Sequence, residues 1–304
     1  MSRDPFADLA AITRRDEPMA RHTSFGVGGP VRYFVEPRNW QQLRLVHRRS
    51  VDAGLRFRIF GRGSNTLVTD EPHPWVVVST AHLSKVERRG NRLTAGAGVF
   101  LPRLVTRAAD LGLGGLEGLA GIPGSVGGAV AMNAGGRDSC VADHLLGAVV
   151  VSPGGEPRWA EAAELGFRYR YSIVPKAGLV VLSATFELDS KSPSVLRDLR
   201  RGYLDAKHAS QPMDALSAGC IFKNPRRRID GVRRSAGWLI DQAGLKGTRI
   251  GGAIVSPKHA NFIVNDGTAT AQDILDLIAL VRERVREVFN VTLRLEIEVW
   301  SNKE

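Results

Sequence analysis

Cysteine, aromatic residues and long apolar runs are all scarce in this sequence. Its 304 residues include 2 cysteines, Cys140 and Cys220, which lie far apart and form no Cys-x-x-Cys pair. This scarcity argues against a disulfide framework, a structural zinc site or a thioredoxin-type centre, so we expect a reducing compartment and no metal site. No apolar run approaches the ~20 residues of a membrane span, and the N-terminus has no apolar stretch of signal length. We therefore expect a cytoplasmic protein with no membrane partner.

The charge of the chain is unbalanced toward the basic side. Lysine and arginine number 42 against 31 acidic residues, which gives a net charge of +11 and a pI near 10.2. The basic residues are spread in pairs and triplets, such as residues 226–228, rather than gathered in one arm. A solvated basic surface or attraction for small anions explains this spread, and we expect no nucleic-acid partner. The 43% hydrophobic and 24% charged content excludes a disordered, collagenous or coiled-coil chain and indicates about two soluble domains.

Short β runs alternate with helical stretches from Val31 to about Leu188. Clear strand patterns occur at residues 31–35, 57–60 and 75–78. This mixture indicates an α+β or α/β fold. The polar stretch at residues 189–194 has the character of a linker or a helix entry, so we place a domain boundary before it.

The C-terminal part contains two further predicted elements. Thr270 with Asp273 three residues later has the pattern of a helix N-cap and its partner. An amphipathic helix is predicted over residues 273–289 from apolar residues that recur every three or four positions: Ile274, Ile278, Val281, Val285 and Val288. Strict alternation over residues 293–299 predicts a half-buried strand whose polar face carries Arg294, Glu296 and Glu298.

Two glycine clusters carry the first chemical signal. Residues 61–65, Gly-Arg-Gly-Ser-Asn, follow a predicted strand, and such a turn exposes backbone N–H groups to phosphate oxygens. Position 66 is threonine, so the turn is not a dinucleotide-binding G-x-G-x-x-G, and a plain turn is the alternative. The denser cluster at residues 121–136 allows close approach of the backbone to a ligand, or to another element in a tightly packed loop. Together the clusters indicate a long ligand with a pyrophosphate in its middle.

Five segments, in chain order, resemble the UDP-N-acetylenolpyruvoylglucosamine reductase (MurB) family. They are residues 21–30 (Arg-His-Thr-Ser-Phe-Gly-Val-Gly-Gly-Pro), 61–65, 116–135, 217–225 (Ser-Ala-Gly-Cys-Ile-Phe-Lys-Asn-Pro) and 295–299 (Leu-Glu-Ile-Glu-Val). The resemblance covers the chain from about residue 20 to residue 300. The segment after Ser172 leaves no room for the inserted lid of one subgroup, so the chain is similar to the shorter, lidless subgroup.

The resemblance implies an α+β fold in two parts. Residues 1–188 would form a two-subdomain FAD-binding domain of the vanillyl-alcohol oxidase-like (PCMH) type, divided near residue 80. Residues 189–304 would form an α+β substrate-binding domain whose last strand returns to the flavin domain. The oligomeric state stays open, and a monomer is expected.

The activity implied by the resemblance is that of UDP-N-acetylmuramate dehydrogenase, in peptidoglycan synthesis and cell wall biogenesis. Such enzymes take a hydride from NADPH onto FAD and pass it from flavin N5 to C3 of UDP-N-acetylglucosamine enolpyruvate, and a proton is added at C2. The glycine clusters become FAD contacts. The implied cofactor-binding residues are Gly61, Arg62, Gly63, Ser64, Asn65, Thr66, Gly121, Pro123, Gly124, Ser125, Gly127, Gly128, Ala129 and Asn133.

Three residues are implied as catalytic. If residues 167–172 form a strand, Arg168 and Arg170 share a face, and only the family's Tyr-Arg-x-Ser pattern selects Arg170, with Tyr169 as a substrate neighbour. Cys220 stands where the family commonly has serine, and it is the proposed proton donor because a thiol, with a pKa of roughly 8.5, is a better acid than a hydroxyl. An inert buried cysteine is the alternative. The family's Leu-Glu-x-Glu-Val pattern selects Glu298 over Glu296.

The implied substrate-binding residues are Tyr169, Lys207, Lys223, Asn224 and His259. For Lys223, Asn224 and His259 the alternatives are a solvated charge, a turn residue and a packed histidine. Two positions depart from the family. Ser210 precedes Gln-Pro where many relatives carry a basic residue, and Trp300 stands where relatives often have arginine.

Two other functions are compatible with the sequence. Another flavin oxidoreductase of the same fold is one, although such enzymes lack the Ala-Gly-Cys-x-Phe-Lys-Asn-Pro stretch. A non-enzymatic, basic nucleic-acid-binding protein is the other, and it predicts no flavin and a salt-dependent association.

Overall fold

The computed structural model describes residues 4–136, 138–152, 154–229 and 231–303. The helices are, in chain order, α1 (Trp40–Asp52), α2 (Leu101–Asp110), α3 (Val126–Met132), α4 (Pro193–Ser210), α5 (Ala236–Gln242) and α6 (Ala271–Phe289). The strands are β1 (Thr13–Pro18), β2 (Pro30–Val35), β3 (Arg56–Phe60), β4 (Thr66–Val68), β5 (His73–Ser79), β6 (Val86–Arg89), β7 (Arg92–Gly96), β8 (Leu113–Gly114), β9 (Leu145–Val151), β10 (Arg158–Glu161), β11 (Val180–Glu187), β12 (Asp189–Ser190), β13 (Arg228–Ile229), β14 (Val232–Arg233), β15 (Arg249–Ile250), β16 (Ala253–Val255), β17 (Ile263–Asn265) and β18 (Glu298–Trp300). This mixed content confirms the predicted α+β class.

The chain divides into two compact units. The first unit comprises Met1–Glu17, Val31–Arg62 and Pro74–Ala206, and the second comprises Pro18–Pro30, Gly63–His73 and Lys207–Glu304. The predicted domain boundary between residues 188 and 189 and the division near residue 80 stay predictions, since the units divide the chain at other places. The stretch at 189–194 holds β12 and the start of α4, so of its two interpretations the helix entry is the one observed.

The first unit contains a four-stranded sheet and a five-stranded antiparallel sheet. The order is β1-β2-β5-β3 in the former, where β3 is parallel to β5, and β10-β9-β11-β7-β6 in the latter. The buried valines of β5, Val76 to Val78, explain why this run forms an interior strand: branched side chains pack well on both faces of a covered sheet. A separate apolar cluster joins the antiparallel sheet to α2 and α3.

The second unit combines a three-stranded sheet, β15-β16-β17, with the parallel pair β4 and β18 and the hairpin β13-β14. Helix α6 begins at the predicted cap: Thr270 Oγ1 accepts from Asp273 N at 3.1 Å, and the Asp273 carboxylate accepts from Thr270 N at 2.9 Å. Four residues of the predicted stripe are buried, namely Ile274, Ile278, Val281 and Val285. Val288 was predicted wrongly, since it is 45% exposed in the last turn. Among the described residues, no helix is both long and apolar enough to cross a membrane.

Candidate active site

The two glycine clusters meet in the first unit. A Cβ placed on Gly61 would lie 2.6 Å from Ser125 Oγ, and one on Gly127 would lie 2.8 Å from the Cβ of Ala97. Neither distance is compatible with a side chain unless a neighbour moves. The backbone of the turn after β3 therefore lies directly against the residue that precedes α3, with a hydroxyl group between them.

Helix α3 carries most of the second cluster. Ser125 caps it by accepting from Gly128 N at 3.3 Å, and the helix ends at Asn133, which has a left-handed φ of 45°. Asn133 is 4% exposed. Its Nδ2 donates to Arg168 O at 3.0 Å and its Oδ1 accepts from Ala142 N at 3.1 Å. Both ends of this amide are thus used to hold two backbone segments, a role the sequence interpretation did not assign to it.

Residues 168–171 form a tight turn, so the strand considered over residues 167–172 is wrong. Arg168 and Tyr171 exchange backbone hydrogen bonds at 3.0 and 3.1 Å, and Arg170 has a left-handed φ of 52°. The physical reason is the anchoring on both sides: Asn133 holds Arg168, while the Ser172 hydroxyl donates to Ala131 O at 2.6 Å. The turn is therefore attached to the C-terminal end of α3.

The turn separates the two arginines that the sequence pattern could not distinguish. Arg170 is half-buried; its Nη2 donates to Gly135 O, and its guanidinium carbon lies 5.2 Å from the centre of the Tyr169 ring. Arg168 is exposed and lies 5.8 Å from the Tyr171 ring. Tyr169 itself is 51% exposed. Arg170 is thus the arginine whose side chain is fixed against the glycine-rich segment.

Cys220 lies in the second unit on an extended segment that has neighbours on both sides. Cys220 bridges to Phe262 on one side, and the next residue, Ile221, donates to Asn261 O at 2.8 Å. On the other side, Glu296 N donates to Ile221 O at 2.8 Å. Cys220 forms no disulfide and is partly exposed. The backbone on both sides of the Cys220 thiol is thus fixed by hydrogen bonds.

Asn261 is a residue that sequence reasoning missed. It is 3% exposed, its Oδ1 accepts from Phe222 N at 3.0 Å, and its Nδ2 donates to Phe222 O at 2.8 Å. Buried polar groups of this kind are almost always hydrogen-bonded. Here the Asn261 side chain takes the place of a strand neighbour for the backbone N–H and carbonyl of Phe222. The only signal in the sequence was an asparagine between two apolar residues, which is also typical of a turn.

The glutamate-bearing segment only partly forms the predicted strand. A regular strand exists at β18, while residues 296 and 297 form a bend after an isolated bridge between Leu295 and Phe222. Burial alternates as predicted at two places: Leu293 and Ile297 are buried, while Arg294 and Glu298 are exposed. Between them the alternation is lost, because Leu295 and Glu296 are both half-buried.

Asn65 connects the first glycine cluster to these glutamates. Its Nδ2 donates to Glu296 O at 3.1 Å, and its carbonyl accepts from Glu298 N at 2.9 Å. The following residue, Thr66, is buried and pairs with Glu298 in the parallel ladder. The carbonyl of Gly63 accepts from Ser24 N at 3.0 Å. Ser64 is half-buried between these two anchored residues. The part of the cluster in the second unit is therefore built into the strand pair that carries Glu298.

The predicted substrate-binding residues of the second unit have definite local roles. Asn224 Oδ1 accepts from Ala236 N at 2.9 Å at the start of α5, and Lys223 N donates to Arg294 O at 2.8 Å. His259 packs edge-on against Phe262, its Nδ1 accepts from Asn261 N at 3.2 Å, and burial lowers its pKa. Lys207 is half-buried in the last turn of α4.

The two departures from the family have structural consequences. Ser210 is exposed at the end of α4, but Lys258, a cation the sequence interpretation did not single out, donates from Nζ to the carbonyl of His208 in the same turn. Trp300 is 3% exposed, and its carbonyl accepts from Thr69 N at 3.0 Å. Position 300 therefore contributes packing rather than charge.

Comparisons with known proteins agree along most of the chain. A family profile described as "FAD binding domain" matches residues 31–161, and one described as "UDP-N-acetylenolpyruvoylglucosamine reductase, C-terminal domain" matches residues 211–300. The UDP-N-acetylenolpyruvoylglucosamine reductase of Moorella thermoacetica is 41% identical over 94% of this chain and 92% of its own length. That of Carboxydothermus hydrogenoformans is 40% identical over 96% of this chain and 95% of its own. The crystal structure of MurB from Thermus caldophilus has a TM-score of 0.81 at 38% identity, and the match covers 95% of this chain and all of that one.

The fold and these matches define the class as an FAD-dependent oxidoreductase. They confirm the predicted FAD-binding fold with its C-terminal reductase domain. The chain belongs to the UDP-N-acetylenolpyruvoylglucosamine reductase (MurB) family, as its motifs predicted, and it is a reductase of peptidoglycan synthesis.

The first unit fits the flavin dinucleotide on structural grounds. The absence of a Cβ at Gly61 lets the turn after β3 pack directly against Ser125, and the absence of one at Gly127 lets α3 pack against Ala97. Backbone groups and the Ser125 hydroxyl therefore predominate where the clusters meet. Such a backbone-lined surface is suited to a pyrophosphate, which is bound through N–H groups and hydroxyls at close range. The remaining predicted contacts of this cluster lie in the same segment: Gly121, Pro123, Gly124, Gly128 and Ala129.

Proposed function

We propose that the protein uses NADPH to reduce the enolpyruvyl ether of UDP-N-acetylglucosamine enolpyruvate to UDP-N-acetylmuramate. Family membership supports this reaction, because the relatives at about 40% identity carry the name of this reductase. The structural observation that carries the proposal is the hydrogen bond of 2.8 Å between Glu296 N and Ile221 O. It joins the cysteine-bearing segment to the glutamate-bearing segment within one unit.

Cys220 is the proton donor in this proposal. Its Sγ proton goes to C2 of the substrate after the hydride has been added at C3. The fixed backbone on both sides of the residue supports this role, because a general acid has to be positioned within hydrogen-bond reach of its acceptor. When bound, FAD supplies the hydride, and the residues that would hold it are the two glycine clusters with Arg62, Asn65, Thr66 and Asn133.

Arg170 stabilises the negative charge that develops beside the substrate carboxylate. A guanidinium held by a backbone carbonyl and an aromatic ring needs little reorganisation when that charge appears, and preorganised donors are the largest single contribution in such reactions. Tyr169 is the adjacent substrate contact. Glu298 acts near the reacting carbon as a polarising or acid–base group, and its exposed side chain on a backbone held by Asn65 supports this assignment.

The substrate is a small anionic molecule, and Lys207, Lys223, Asn224 and His259 bind it. The reaction takes place in the cytoplasm with a monomeric enzyme and needs neither nucleic acid nor membrane. The net charge of +11 supports the preference for anionic ligands.

The test is the visible absorption spectrum of the purified protein under anaerobic conditions. Bound flavin should bleach on addition of NADPH and recover on addition of UDP-N-acetylglucosamine enolpyruvate. Recovery with oxygen but not with the sugar would instead indicate another flavin oxidoreductase. Absence of flavin binding even with added FAD would contradict the proposal altogether.

A further inference from the structure

A short, strongly basic hairpin lies in the second unit. The arginine hairpin is defined by the described residues 226–229 and 231–234; it contains strands β13 and β14 and five arginines: Arg226, Arg227, Arg228, Arg233 and Arg234. Arg228 and Arg233 are directly opposite each other in the strand pair. Like charges in this position destabilise a hairpin, so stability of the fold does not account for them.

The positive charge of the arginine hairpin is not neutralised by the described part of the chain. None of the ion pairs between described residues involves these arginines. Arg227 donates to Asn290 O at 2.6 Å at the end of α6, which explains that residue structurally. Arg228 uses one donor on Gly231 O at 2.9 Å, which leaves most of its donors available. Arg226 and Arg233 are exposed.

The base of the arginine hairpin coincides with predicted substrate-binding residues. The hydrogen bond of 2.9 Å from Ala236 N to Asn224 Oδ1 joins the chain just before the arginine hairpin to the chain just after it. Lys223 and Asn224 therefore lead directly into the arginines. The arginines of the hairpin therefore follow directly in the chain after Asn224, where an anionic ligand is proposed to bind.

An aromatic surface completes the arrangement. The Arg234 guanidinium carbon lies 4.4 Å from the centre of the Trp238 ring, and both residues are half-buried. Arg234 Nε is buried and has no hydrogen-bond partner in the described part of the chain. Arginine stacked on an aromatic ring beside further arginines is typical of sites for nucleotides, since phosphate takes the fork of donors and a base stacks on the planar groups.

We propose that the arginine hairpin binds the 2′-phosphate of NADPH and thereby determines the preference for NADPH over NADH. This inference rests on the proposed function, in which the enzyme takes its hydride from NADPH. The 2′-phosphate is a compact dianion, which suits two facing guanidinium groups such as Arg228 and Arg233. NADH lacks that group, so the two nucleotides differ only in the interaction assigned to these residues.

The direct test is calorimetric titration of the holoenzyme with 2′,5′-ADP and with AMP, which differ by the 2′-phosphate alone. The wild-type protein should bind 2′,5′-ADP about tenfold or more tightly than AMP, as a charge-assisted phosphate contact predicts. In the double variant Arg228→Ser/Arg233→Ser the two affinities should become similar. Equal affinities in the wild-type protein, or an unchanged ratio in the variant, would overturn the proposal.

A kinetic test separates this inference from the proposed function. The ratio of kcat/KM for NADPH to that for NADH should fall about tenfold in Arg228→Ser/Arg233→Ser. It should not change in Arg282→Ser/Arg284→Ser, which removes the same charge from the exposed face of α6. A raised KM for the UDP-sugar with an unchanged ratio would assign the hairpin to the sugar diphosphate and refute the proposal. Failure of the wild-type enzyme to reduce the sugar would instead refute the proposed function, whatever the titrations give.

Discussion

The side chain of Asn261 forms two hydrogen bonds with the backbone of Phe222, one to its N–H at 3.0 Å and one to its carbonyl at 2.8 Å. This is the pattern that a neighbouring strand would provide. The residue two positions before Phe222 is Cys220, so a buried amide holds the segment of the proposed proton donor in place.

Replacing Asn261 with leucine should destabilise the protein by about 3 kcal/mol, because a buried backbone donor and a buried acceptor both lose their partners at roughly 1–3 kcal/mol each. Urea unfolding measures the loss. The control is Gln272→Ala, which removes an exposed side-chain hydrogen bond to Asp276 and should change the free energy of unfolding by less than about 0.5 kcal/mol. Equal stabilities for Asn261→Leu and the wild-type protein would show that the two bonds contribute nothing.

Cys220→Ala should stop the second half-reaction and preserve the first. Reduction of the flavin by NADPH needs no proton from the thiol, whereas reoxidation by the sugar should slow by about 100-fold or more, the usual contribution of a general acid. Anaerobic stopped-flow absorbance separates the two rates. Cys220→Ser should keep substantial activity. The donor assignment is wrong if reoxidation stays fast in the alanine variant.

Arg170 and Arg168 allow a matched comparison within one turn. Arg170→Lys should lower the rate of sugar-dependent reoxidation by roughly 100-fold, since lysine lacks the fork that donates simultaneously to a carbonyl and a carboxylate. Arg168→Lys, at an exposed position, should leave that rate nearly unchanged. Equal effects of the two substitutions, measured in single turnovers, would remove the distinction that the turn creates.

Glu298→Gln and Glu296→Gln test which glutamate takes part in the reaction. We expect a loss of roughly 100-fold in kcat for the first and little change for the second, because only Glu298 is assigned an acid–base or polarising role. Steady-state kinetics with saturating NADPH gives both values. A larger loss at Glu296 would reverse the assignment.

The stability of the protein should depend on pH through His259. Burial lowers the pKa of His259 in the folded protein, so the unfolded chain, with a histidine pKa of about 6.5, binds the proton at higher pH. Stability is therefore lost as the pH falls below about 6.5 toward the lowered value.

The variant His259→Asn removes this titration and keeps an acceptor near the position of Nδ1. Urea unfolding gives the free energy of unfolding at several pH values from about 7.5 down to about 5.5, the range in which histidine titrates. Over this range the free energy should fall less steeply in the variant than in the wild-type protein. Burial also lowers the pKa of His47, but that contribution is common to both proteins and cancels in the difference. Parallel pH profiles would show that His259 does not contribute.

Local patterns predicted α6 well and the turn at Arg170 poorly. The cap of α6 depends on Thr270 and Asp273, which are close in sequence, and its buried face repeats regularly, so both could be predicted from the sequence. The turn depends on the hydrogen bond from Asn133 to Arg168 and on the one from Ser172 to Ala131, which join positions 35 and 41 residues apart. No glycine marks the left-handed position, which is occupied by Arg170 itself.

The site was predictable to the extent that it consists of contiguous motifs. Cys220 and its flanking residues were identified from one such stretch, and so were the glycine clusters. Asn261 and Lys258 were missed because their partners, Phe222 and the carbonyl of His208, are distant in sequence. A buried asparagine and an exposed one look alike until the fold supplies the neighbours.

The pairing around Asn65 and Glu296 also has a consequence for biosynthesis. These two residues are 231 positions apart, and strand β4 has no parallel partner until β18 has been made. At typical translation speeds, roughly 10 to 50 seconds pass between the synthesis of β4 and the synthesis of β18. During that interval its apolar residues, including Leu67, are exposed to chaperone binding. A chain whose translation ends before β18 would have an incomplete second unit.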